Sequence, residues 1–370
     1  MNILHFSAVK SWGGGGNYIE NLVYELSKSN PEVKSLIVVA RDGQFHDRLK
    51  NSQFLYSTVP LAINVDPRAV FKLISLCKKH RIDLVHLHGA TSLTLAVIAT
   101  KMAELPPFIF SKKTSFPIKN RKRTLFKYNH PQIKKIICVS EEVRRITESA
   151  IVDKEKLVTI YDGTRTDEKP ISQSYELRKM LNLSAETKII GHIGNHIKAK
   201  DLETWIAAIN ELVNIRKNQN LFFVQIGTFS KLTPAIQQKV EEYNLEESIK
   251  ILGYLPDASA FMPEFEILML SSKSEGLPQV IFEAAKYKVL MVSTNVGGIP
   301  EFIDHKVNGL LSGKEDAVGL AENVEVLLAN PELGKTFAER SHKKLFPEFS
   351  TEYMAQKTLQ EYRKVLKSRH

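Results

Sequence analysis

Cysteine is nearly absent: Cys77 and Cys138 are the only two in 370 residues. Two thiols exclude a disulfide framework and a cysteine-based metal site, and each reads as a small buried apolar residue in a reducing compartment. No run of about 18 consecutive apolar residues occurs, which argues against a membrane-spanning helix. "MNILHFSAV" reads at once as a strand, with neither a charged leader nor an apolar core behind it, so a cytoplasmic chain is expected. Repeats and low-complexity tracts are missing too. Common nucleotide signatures fail on spacing. From Gly13 a G-x-G-x-x-G pattern meets Tyr18, from Gly14 it meets Ile19, and no Gly-Lys-Ser/Thr follows the glycines. There is no Asp-x-Asp triad to hold a metal.

What is present is 43% hydrophobic and 25% charged, the balance of a soluble α/β protein. The length exceeds one typical domain, so two are expected, each with its own core and with a cleft between them. Apolar runs "NILHF", "SLIVVA", "LVHLH", "FIFS", "KIICVS" and "LVTIY", then "KIIGHIG", "LFFVQIG", "IKILGY", "EILMLSS", "VLMVST" and "NGLLS", alternate with helical patterns such as "NYIENLVYELSKS" and "DLETWIAAINELVNIRKN". Such alternation, with runs that lack period two, predicts parallel sheets covered on both faces. The polar, proline-bearing "DGTRTDEKPISQSYE" reads as the seam. Two doubly wound domains are expected over 1–170 and 171–350, followed by a helix over 351–370 that can pack back on the first.

The net charge of +10 is local. Residues 1–170 hold 27 Lys and Arg against 16 Asp and Glu, while the remainder holds 24 against 25. Lys101 to Lys135 alone carries ten basic residues and one acidic, Glu104. A patch of this kind suits anionic head groups, a phosphorylated acceptor or nucleic acid, or is simply a solvated face. Nucleic acid is disfavoured, because the patch lacks interleaved aromatics for base stacking and no nucleic-acid module is recognisable.

Four short stretches carry chemistry. Gly13 to Gly16 lead from the first strand into a helix, leaving N–H groups open to a phosphate. "IDLVHLHG" puts His86 and His88 on one side of a strand end; His86 reads as a satisfied core histidine and His88 as the site candidate. With no third His, Cys or carboxylate at ligand spacing, metal is rejected. In "IIGHIGNHIKAKDLETWI", Lys200 sits where a helix begins and an ammonium could meet a diphosphate. In "SSKSEGLPQVIFEAA", Glu275 closes a strand, Gly276 and Leu277 turn the chain, Pro278 fits a first helical turn, and Glu283 lies about two turns down on an apolar stretch. Two carboxylates beside free helix N–H groups match a sugar nucleotide, with the diphosphate on the N–H groups and the hydroxyls on the carboxylates.

At these residues the chain resembles the retaining glycosyltransferases of family 4. Glu275 and Glu283 stand with seven residues between them, spanning the Gly276-Leu277-Pro278 step, "TNVGGIPEFIDHKVNGLL" follows, and the glycine loop, "HLHG" and "IYDGT" occur in the family's order. The resemblance implies the GT-B architecture, two Rossmann-like lobes facing a central cleft, with the acceptor on the first and the nucleotide sugar on the second. It implies His88 and Glu275 as catalytic, and Gly15, Gly16, Lys200, Glu275, Gly276, Leu277 and Glu283 around the donor. Asn195 stands where many members have an arginine, which shifts neutralisation of the diphosphate onto Lys200 and the helix N-terminus. Lys112, Lys113, Arg121, Lys122 and Arg123 are the acceptor or membrane candidates. The implied reaction is metal-free and cofactor-free transfer from a UDP- or GDP-sugar to a glycan or lipid-linked acceptor, in bacterial surface polysaccharide or lipopolysaccharide synthesis, at the inner face of the cell membrane. A phosphorylase, a sugar-nucleotide epimerase and a non-catalytic regulator of the same architecture remain open.

Overall fold

The computed structural model describes residues 1–63, 65–166 and 177–367. The chain forms two compact units, Met1–Asp162 with Thr351–His370, and Gly163–Ser350. The expected divide at 170 and 171 lies outside the described residues. At the observed divide, Gly163 and Thr164 run beside Phe349 and Ser350, with the Thr164 N–H donating to the Phe349 carbonyl at 3.1 Å.

The first unit holds seven parallel strands: β1 (Asn2–Ser7), β2 (Lys34–Ala40), β3 (Tyr56–Val59), β4 (Leu84–His88), β5 (Phe108–Lys112), β6 (Ile133–Cys138) and β7 (Leu157–Thr159), in the order β3-β2-β1-β4-β5-β6-β7. The second holds six, also parallel: β8 (Lys188–Ile193), β9 (Leu221–Ile226), β10 (Ile249–Ile251), β11 (Ile267–Leu270), β12 (Leu290–Thr294) and β13 (Leu310–Ser312), in the order β10-β9-β8-β11-β12-β13. Every apolar run named above became a strand. Only β3 carried no such signal, because "YSTV" is an edge strand with Val59 alone fully buried. Both Cys77 and Cys138 are free and buried, and burial pushes each thiol up to about 12.

The helix Thr351–Lys367 belongs to the first unit. Its buried residues Met354, Ala355, Leu359, Tyr362 and Val365 recur at helical spacing. They share one core with Ile19, Leu22, Val23 and Leu26 of the helix Gly14–Ser29. Each large apolar side chain so buried contributes about 1.5–3 kcal/mol, and Thr351 Oγ1 adds a buried bond to Glu25 at 2.7 Å. No helix among the described residues is long and apolar enough to cross a membrane.

Candidate active site

Each sheet reverses its winding once, between β1 and β4 in the first and between β8 and β11 in the second. Open α/β sheets bind ligands beyond the strand C-termini at such a reversal. The expected residues fall at these points: the glycines follow β1, His88 ends β4, Asn195 and Lys200 follow β8, and Glu275 to Leu277 follow β11.

In the second unit the loops after β8 and β11 are stitched together. Ser271 Oγ donates to the carbonyls of Lys200 (3.0 Å) and Asp201 (2.9 Å), the Lys273 N–H donates to Ala199 (2.8 Å), and Lys273 Nζ pairs with Asp201 at 2.9 Å. This brings Lys200 Nζ to 2.6 Å from Glu275 Oε1, an atom that also accepts from Ser272 Oγ at 2.6 Å. The two side chains are only 15% and 11% exposed, so the charge-assisted bond is little weakened by water. Behind Glu275 lies the Gly-Gly pair after β12. Gly297 has φ +57°, and a Cβ there would fall 1.8 Å from the Glu275 carbonyl oxygen. The Gly298 N–H donates to the Gly276 carbonyl at 3.0 Å.

Local boundaries differ from expectation. β11 ends at Leu270, so Glu275 lies in the loop rather than closing the strand: Ser271 bonds the loop after β8 and Ser272 bonds Glu275 within the loop itself. The next helix is Gln279–Lys286 with Pro278 at its N-cap, which puts half-buried Glu283 little more than one turn in. Gly276 and Leu277 are buried at the helix entrance. Asn195 Oδ1 accepts from the Thr228 N–H at 2.9 Å, so this side chain ties the loop after β8 to the loop after β9. Beneath it, buried His196 is held by Thr233 and Gln225.

In the first unit Gly14 to Gly16 form the opening turn of the helix Gly14–Ser29. His88 is buried, and Gly89 at φ +97° turns the chain directly after it. Parallel pairing sets His5 opposite His86, a third histidine that linear spacing could not reveal. Ring nitrogens of His5, His86 and His88, one from each, lie within 4.8 Å of one another. Among the described residues, this trio is the group that could hold a metal. One feature disfavours a dication, since both His86 nitrogens are engaged, by Tyr362 and Ser111; His5 Nε2 and His88 Nδ1 are buried without a hydrogen-bond partner. Burial holds His5 down to about 3 and keeps His86 and His88 well below the ordinary histidine range.

The basic candidates separate. Lys112 is buried, its ammonium donating to the carbonyls of Thr114 and Phe116, so it braces its own loop instead of meeting an acceptor or a membrane. Lys113 Nζ lies 3.5 Å from the centroid of the Tyr18 ring and donates to the Gly15 carbonyl at 3.3 Å, tying β5 to the glycine turn. Burial brings its amine down to about 7, opposed by Asp162. Arg121, Lys122 and Arg123 are exposed at the start of the helix Lys122–Tyr128. Sequence reasoning passed over Ser272, Ser111 and Tyr362, since a lone hydroxyl carries no signal until the fold brings it to a partner, and gave no role to Gly297.

Two doubly wound sheets, each with polar residues at its reversal point, define the GT-B fold of nucleotide-sugar-dependent transferases. Residues 12–168 match the family described as Glycosyltransferase Family 4, and residues 187–330 match Glycosyl transferases group 1. The chain belongs to this glycosyltransferase family. It is 23% identical over 318 residues to N-acetyl-alpha-D-glucosaminyl L-malate synthase of Bacillus anthracis, covering 83% of this chain and 80% of that protein. It is 21% identical over 290 residues to the UDP-Gal:alpha-D-GlcNAc-diphosphoundecaprenol alpha-1,3-galactosyltransferase of Escherichia coli, covering 74% and 75%. Among solved structures, Anabaena Alr3699/HepE in complex with UDP and glucose superposes with a TM-score of 0.85 at 18% identity, over 98% of this chain and all of that one.

Proposed function

We propose that the protein moves a sugar from a nucleoside-diphosphate sugar to a glycan or lipid-linked acceptor, with retention of configuration and without a metal. The carrying observation is the Lys200–Glu275 pair at 2.6 Å, set at the reversal point of the second sheet beside the helix Gln279–Lys286. An ammonium and a carboxylate held together are the two groups that a sugar diphosphate engages separately. The diphosphate takes the ammonium and the helix N–H groups; the sugar hydroxyls take the carboxylate. Donor binding therefore exchanges one ion pair for two ligand contacts. In the transfer step the bond from C1 to the diphosphate oxygen breaks, the acceptor oxygen bonds to C1 on the same face, and the acceptor proton passes to the departing diphosphate. The chain supplies positioning and charge stabilisation, with His88 as the catalytic residue contributed by the first unit.

Support for a lipid-linked acceptor comes from the diphosphoundecaprenol substrate in the name of the E. coli relative. It comes also from Arg121, Lys122 and Arg123, which are exposed together, since clustered bases at a surface suit peripheral contact with an anionic membrane. Thermal stability with UDP-, GDP- and ADP-sugars in the presence of a chelator tests the donor reading. One nucleotide series at about 100 times its dissociation constant should stabilise the fold by roughly 2.7 kcal/mol. A response to none, or one that needs added metal, would overturn it.

A further inference from the structure

Three histidines and two tyrosines form one buried polar cluster between the first sheet and the helices Gly14–Ser29 and Thr351–Lys367. His86 is clamped from both ends. Its Nδ1 lies 2.5 Å from Tyr362 Oη and its Nε2 lies 2.7 Å from Ser111 Oγ on β5. Burial raises the phenol of Tyr362 well above its ordinary range and keeps His86 neutral. The phenol therefore retains its proton, and the imidazole donates to one of these oxygens and accepts from the other. Either assignment occupies both ring nitrogens and fixes the ring plane. The His86 and His88 ring centroids are 4.1 Å apart. On its other side His88 faces His5, whose ring is inclined by only 19° and whose Nδ1 is 3.4 Å from His88 Nε2. His88 thus packs between a clamped ring and a near-parallel one, so a displacement of His86 is passed to it by contact.

We propose that Tyr362 is a positioning residue for the transfer reaction: its hydroxyl, 276 positions from His86 in sequence, fixes His86 and through it the ring of His88. The inference rests on the reading of His88 as a catalytic residue. It assigns a part in the reaction to a helix that otherwise reads as packing alone. Correct placement matters because a displacement of about 1 Å at a reacting group can cost on the order of 100-fold in rate.

The test compares Tyr362→Phe with wild type in steady-state kinetics, with His88→Ala as the reference. Phe keeps the ring and deletes only the clamp. The expected result is a kcat lowered about 10-fold per folded molecule, with the donor KM within about 2-fold, since the second-unit donor contacts are untouched. Ring 15N spectra should show the His86 resonances shift as Nδ1 loses its partner, and those of His88 shift with them. Should Tyr362→Phe fail to fold, Ser111→Ala removes the opposite end of the same clamp with the C-terminal helix intact, and the same kcat loss is expected. Unchanged kcat and unchanged ring spectra in a folded variant, with His88→Ala inactive, would overturn this inference alone. Full activity of His88→Ala would remove the reading of His88 and this inference with it.

Discussion

Glu275 is bound twice in the free protein, by Lys200 and by Ser272, so it is pre-aimed before any substrate arrives. If its bond to the sugar tightens in the transition state, Glu275→Ala should lower turnover by roughly two or more orders of magnitude. Steady-state rates within about 3-fold of wild type would exclude the assignment. This residue was legible because its chemistry is carried by a local spacing. His5 was not, because its partners lie on β4 and only strand pairing reveals them. The buried histidines have a second consequence. His5 and His192 titrate near 3, His86 and His88 well below the ordinary value of 6.5, in each case chiefly because burial disfavours the charged ring. The folded protein refuses protons that the unfolded chain accepts below about 6.5. Their contribution is complete above that pH and is lost as pH falls toward 3, at up to about 1.4 kcal/mol per pH unit for each ring. Lys113, lowered from 10.5 to about 7, adds a slope of the same sign between those values. Urea midpoints measured from pH 8 to 5 should fall, and fall more steeply below 6.5; a flat profile from 7 to 5 would contradict the burial.

At the scale of elements, the site is a matter of loops held at fixed distance by backbone. The segment after β11 reaches its position because Gly297 gives it room and Gly298 bonds it. Gly297→Ala combines an unfavourable φ with a Cβ pressed on the Glu275 carbonyl. It should lower stability by about 1–3 kcal/mol and reduce turnover well beyond that loss, measured as kcat per folded molecule against urea stability. Normal kcat would mean that the Glu275 loop does not depend on this contact. Element identity could be read from the sequence wherever an apolar run was long. β3 escaped because an edge strand buries too little to leave a pattern. The end of β11 escaped because the bond from Ser271 to the loop after β8, invisible in sequence, lies just beyond it; the helix Gln279–Lys286 begins only after Pro278, its N-cap.

At the scale of the whole molecule, charge is partitioned: the basic excess lies in residues 1–170, with Arg121, Lys122 and Arg123 exposed together. If this patch meets lipid, each base near the surface contributes about 1 kcal/mol, and the Arg121→Glu, Lys122→Glu, Arg123→Glu triple variant should no longer float with anionic liposomes while keeping its donor-induced thermal shift. Flotation independent of anionic lipid, or equal for the variant, would exclude the contact. The first unit is assembled from two stretches of sequence, and the helix Thr351–Lys367 that supplies part of its core follows the entire second unit. On the ribosome, where domains ordinarily finish in order from the N-terminus, the order is inverted here. Residues 163–350 can complete their fold while the helix Gly14–Ser29, packed on strands of its own sheet, still lacks the part of its cover that residues 351–367 supply, so the earliest part of the chain to be made is the last to be sealed.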